Sequence, residues 1–180
     1  GVDVVFTDRI QGLAAALHHD PIEIYEYVRD RCAYQPYWGS LKGARGALAE
    51  ESGNDADLAS LLIALLRVSG YPARYGEALV TLDIARAKNW LGLDEDRQVG
   101  YYLATAGIPD VEELYRGPAV VQIRFRHVFV EVYMPYGDYR GRQRSDLHRL
   151  WVPLAPAFKS MRHVEGTLAT AAPPFDPAAF

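Results

Sequence analysis

An α+β fold, in which a central buried helix packs on a small antiparallel β-sheet and a helical insertion interrupts the sheet, is the class that the sequence predicts. Three stretches carry that prediction: an apolar helical run at 58–68, a period-two run at 120–133, and a cluster of short aspartate-led helical segments at 83–116.

The helical run is the clearest element. From Leu58 to Val68 every residue except Ser60 and Arg67 is apolar, so the helix is hydrophobic nearly all round and belongs inside the molecule. Asn54, Asp55 and Asp57 mark its start, because their short side chains can accept from the free amides of a first turn; Gly70 and Pro72 mark its end. The next stretch, 73–81, mixes aromatic and β-branched residues and reads as a strand.

In the second run Ile123, Phe125, His127, Phe129, Glu131 and Tyr133 share one face, while Gln122, Arg124, Arg126, Val128, Val130 and Val132 share the other. His127 therefore sits in mid-strand on an aromatic face, with Glu131 further along it. A last strand is expected at 150–152, closed by Pro153.

Asp20 followed by Pro21 announces another helix, an N-cap with proline at the first helical position. Ile22, Tyr25, Val28 and Cys32 form its expected inward stripe, which makes the sole cysteine a core residue rather than a reactive one. One cysteine also excludes an internal disulfide and a Cys-rich zinc site. Within the insertion, 83–91, 94–106 and 110–115 each begin with aspartate and read as short helices, with Trp90, Leu91, Tyr101, Tyr102 and Leu103 as the docking surface. The insertion docks either beside the helix start or on the far side.

At 180 residues and 49% hydrophobic, the chain can bury one sizeable core, and a single domain over 1–180 is expected, with its core at about 20–160 and a tail at 167–180. A net charge of −4 offers no basic stripe for nucleic acid, and the arginines of 139–144 read as a hairpin loop. No stretch reaches the roughly 18 apolar residues of a membrane span. The chain opens on glycine rather than methionine, so it reads as a piece of a longer protein.

The order of these motifs carries a resemblance. A Gly-x-x turn opening a buried helix that ends in Leu65-Leu66-Arg67 and Gly70-x-Pro72-Ala73-Arg74, a strand with His127-x-Phe129-x-Glu131, and then Trp151-Val152-Pro153-Leu154 resembles the transglutaminase-like superfamily, a branch of the papain-like cysteine enzymes. Residues 37–44 and 52–55 resemble domains of large bacterial surface or secreted proteins of the RHS/YD-repeat type. The resemblance implies a Cys-His-Asp triad and a secreted or cell-surface setting. Laid on this chain, the triad positions fall on Asp55, His127 and Ala155, so one of three remains.

Thiolate chemistry needs a sulfur activated by a helix N-terminus and an imidazole held by a third group. Asp55 and Ala155 supply neither. Asp55 is explained by helix capping, worth on the order of 1 kcal/mol, and more sharply by a dyad with His127 for general acid/base work. His127 reads as a core histidine or as a base. Trp38, Asn54 and Glu131 are the candidate cleft residues, while Glu131 or Asp146 are carboxylates that could replace the third triad member. Asp57 reads as a second helix-start charge.

The leading expectation is a non-catalytic domain binding a polypeptide, such as another part of its parent protein, with no cofactor, metal, nucleic acid or membrane insertion. The alternatives are a hydrolase or acyl-transfer enzyme using Asp55 and His127, and a purely structural module.

Overall fold

The computed structural model describes residues 2–135 and 149–161; the 139–144 arginines, Asp146 and the 167–180 tail lie outside the described residues. In chain order the elements are α1 (Asp8–Ala16), α2 (Pro21–Arg31), β1 (Ala33–Tyr34), α3 (Gly43–Glu50), β2 (Ser52–Gly53), α4 (Asp55–Val68), β3 (Ala73–Asp83), α5 (Ile84–Leu91), α6 (Asp96–Thr105), β4 (Glu112–Arg116), β5 (Ala119–Pro135) and β6 (Arg149–Leu154).

The central helix is α4. Leu58, Leu61, Leu62, Ile63, Leu65 and Leu66 are all fully buried, enclosed by α1, α2 and α3 on one side and the sheet on the other. Truncating any of these leucines to alanine opens a cavity and costs about 2–5 kcal/mol. Arg67, the charged exception, donates to the Ala73 carbonyl from both Nε and Nη2 and so fixes the turn from α4 into β3.

All three other sheet strands flank the long β5. β3 lies antiparallel along one edge, from Ala73 opposite Val132 to Asp83 opposite Gln122. The opposite edge is shared: β4 pairs with residues 119–124 and β6 with residues 130–135. Between those two ladders, residues 125–129 have no strand partner on that edge among the described residues. The burial along β5 switches there as well, because Ile123, Phe125 and His127 are buried on one face, and Val130 and Val132 on the other. The first face packs on the helical insertion and the second on α4.

Several expectations need correction. In α2 the buried stripe is Ile24, Val28 and Cys32, whereas Ile22 is 63% exposed. Helical spacing permits both registers, and contact with α4 selects the one containing Ile24. The third insertion segment is the strand β4 rather than a helix: Asp110 takes a left-handed φ of 57° instead of capping, and the chain pairs with β5. Tyr101 is 75% exposed and Tyr102 also faces solvent, so Trp90, Leu103 and Val99 dock the lobe. Pro153 does not end β6, since β6 is an edge strand that needs no amide at that position. Helices α1 and α3 are additional to the elements expected from the sequence.

Candidate functional site

The site is built at the start of α4. Asn54, rather than Asp55, is the N-cap: its side-chain oxygen accepts from the Asp57 amide at 2.9 Å, and its amide group donates to the carbonyls of Tyr37 and Gly39. Asp55 is thereby displaced to the first helical position. Asn54 is fully buried, so it fastens the 37–39 loop to the helix and offers nothing to a ligand.

Asp57 does far more than add charge to the first turn. Its Oδ1 accepts from the amides of Leu41, Lys42 and Gly43 and from the Ser40 hydroxyl, while Oδ2 accepts from the Tyr37 hydroxyl. Helix α3 has no capping side chain of its own, and the Asp57 carboxylate satisfies the free amides at its N-terminus. Two glycines make this approach possible. A Cβ at Gly53 would stand 2.9 Å from the Asp57 Cβ, and Gly43 has a φ of +58° with the Asp3 backbone 3.0 Å from its missing side chain. Burial and the bond to Asp57 push the Tyr37 phenol above its ordinary range.

Asp55 points toward the sheet, into the interval of β5 between the β4 and β6 ladders. Its Oδ2 accepts from the Val128 amide at 2.7 Å and lies 3.2 Å from His127 Nδ1; its Oδ1 accepts from the Ala56 amide. The carboxylate thus takes the place of a missing strand partner for Val128 and pairs with the imidazole. Asp55 is 2% exposed and His127 1%. The structure brings these two side chains together and seals both.

Ala155, expected from the resemblance at the third triad position, lies just past β6 and lines, with His127, Val80, Phe129, Pro153 and Phe158, an open cavity of about 220 Å³. His127 Nε2 is buried and has no hydrogen-bond partner among the described residues. The imidazole face stacks on Phe158 at 4.2 Å, Phe158 meets Trp90 edge-on at 5.0 Å, and Trp90 donates to the Ala157 carbonyl. The insertion therefore holds down the 155–158 turn that covers the imidazole.

The remaining candidates are placed elsewhere. Trp38 packs half-buried against the insertion's core and lines none of the cavities described for these residues. Glu131 pairs with Arg74 at 2.6 Å on the sheet surface, and Arg74 lies over Trp151, so this carboxylate does not replace the triad aspartate. Its register puts it on the face of His127, but four residues along a twisted strand carry it past the site. Cys32 is buried as expected, and burial pushes its thiol up to about 11. Beside it Lys159 donates to the carbonyls of Val28, Arg29 and Pro156, tying the 155–159 segment to the end of α2; burial lowers its ammonium to about 8. No group of three or more His, Cys, Asp or Glu side chains suited to a metal occurs among the described residues, nor does any helix long and apolar enough to cross a membrane.

A buried helix delivering its first turn to a histidine-bearing strand, with the next strand end alongside, defines a papain-like arrangement. The family model of the transglutaminase-like superfamily matches residues 6–156, and the chain belongs to that superfamily. Two solved structures are similar: a protein described as a cysteine protease from Cytophaga hutchinsonii, at 17% identity and a TM-score of 0.44, and the periplasmic domain of TgpA from Pseudomonas aeruginosa bound to ethylmercury, at 18% and 0.45. The similarity covers 85% and 83% of this chain but 38% and 44% of theirs, so the chain spans less than half the length of either. A comparison with curated proteins gives no match.

Proposed function

We propose that this is a non-catalytic transglutaminase-like domain that binds a polypeptide within a larger exported bacterial protein of the RHS/YD-repeat type. The observation that carries this reading is the engagement of Asp55. An acid or base must reach the proton it transfers, directly or through one water. Here the carboxylate is buried, bound to the Val128 and Ala56 amides, and faced by an equally buried imidazole. The same closure weighs against the dyad enzyme.

A polypeptide partner is favoured by β3. Its inner edge pairs with β5, and its outer edge has no strand partner among the described residues, although at its start the Ala73 carbonyl is taken by Arg67. Such an edge presents alternating amides and carbonyls to an extended chain.

Hydrolysis of a casein substrate and incorporation of a labelled amine test the absence of chemistry. The wild type is expected to be inactive in both, and the double variant Asp55→Cys/Ala155→Asp to gain activity that a thiol reagent abolishes. Wild-type turnover that disappears in both Asp55→Asn and His127→Gln would overturn this reading in favour of the dyad.

A further inference from the structure

The cavity beside His127 is apolar except at one point. Phe129, Pro153, Phe158 and Val80 supply hydrocarbon walls, and His127 is the single titratable residue of the lining. A buried polar atom without a partner carries a desolvation cost and calls for an explanation. The Ala155 side chain, which lines the same cavity, offers no polar group to it.

We propose that this cavity is a binding site for a single-ring phenol, whose ring fills the apolar space and whose hydroxyl donates to His127 Nε2. Size, lining and polarity each narrow the ligand. An engineered cavity of about 150 Å³ accepts benzene, so about 220 Å³ accommodates one substituted ring. The aromatic and proline walls favour a flat hydrocarbon body over a sugar or a peptide backbone. The Asp55 carboxylate beside Nδ1 favours the tautomer with its proton on Nδ1, which leaves Nε2 an acceptor in need of a neutral donor. A carboxylate ligand would meet no lysine or arginine in the lining and would face the Asp55 carboxylate across the ring. Nε2 is closed to bulk water, so binding requires the half-buried Phe158 ring, stacked on the imidazole, to turn aside as the hydroxyl arrives.

The phenol can be a free molecule or a tyrosyl side chain, and the inference is independent of whether Asp55 performs chemistry. The test follows the ¹⁵N resonance of His127 Nε2 in the wild-type domain during titration with p-cresol, toluene and benzoate, and with a blocked Gly-Tyr-Gly tripeptide. p-Cresol is expected to displace that resonance and to bind roughly tenfold tighter than toluene, the factor one hydrogen bond supplies, with benzoate weaker than both. Cresol binding alone identifies a free phenol as the ligand; tripeptide binding as well identifies a side chain. Equal affinity for cresol and toluene, an unmoved Nε2 resonance, or cresol binding retained in a folded Ala155→Leu variant would overturn the proposal.

Discussion

Asp55 and Asp57 stand two residues apart in the first turn of one helix, with the same side chain and nearly the same burial, and they hold different parts of the molecule. Asp57 faces the 37–43 loop and gathers three consecutive amides and two hydroxyls. Asp55 faces the sheet and holds one strand amide and one imidazole. Asp55 thus serves as a clasp between helix and sheet, while its neighbour organises the loop that frames the site. Placement at a helix N-terminus favours both charges, and the donors each one meets decide how much it matters.

The contrast predicts unequal losses. Asp57→Ala removes a fully buried carboxylate from five donors, most of them part-buried, and a destabilisation of about 2–3 kcal/mol is expected, read as a lower urea midpoint or as failure to fold. Asp57→Asn keeps an acceptor and should recover part of the loss. Equal stability of Asp57→Ala and wild type would show that the 37–43 loop holds itself.

A smaller effect is expected at the other aspartate. Asp55→Ala strands the Val128 amide and removes the partner of His127, at about 1–2 kcal/mol. Asp55→Asn should cost less, because its oxygen can still accept from Val128. If Asp55→Ala proved as damaging as Asp57→Ala, the contrast would break and the clasp would be the main support of the fold.

What the sequence disclosed follows the same division. The apolar run of α4 and the period of β5 are local patterns, and they mark the helix start and the strand face of His127; that Asp55 and His127 meet is implied only by the family resemblance, because nothing in either run says which side chain faces the other. Spacing alone shows Asp57 only as a helix-start charge, because its partners lie 14–20 residues upstream, in a loop without regular structure. Helix α3 escaped notice for the complementary reason: its cap comes from α4, and nothing at its own start signals a helix. The start of β4 reads as a helix because Asp110 resembles a cap, while the pairing that makes it a strand is with β5. The two bonds of Asn54 to the carbonyls of Tyr37 and Gly39, which bury it, are likewise invisible in spacing.

The smallest effect isolates a single donor of the Asp57 group. Tyr37→Phe removes one hydroxyl and leaves the four bonds at Oδ1, so a loss of about 0.5–1.5 kcal/mol is expected at pH 8. Its pH dependence distinguishes a bond to Asp57 from mere packing of the ring. The folded phenol titrates above its ordinary value of 10.0, through burial first and the Asp57 bond second, so the unfolded chain ionises before the folded one. The stability contributed by the hydroxyl is therefore fully present below about pH 10 and lost as pH rises toward the folded value. Wild type and Tyr37→Phe should differ in urea midpoint at pH 8 and converge by pH 11. A difference that stays constant over that range would assign the ring, and not the hydroxyl, to the hold that Asp57 has on the loop.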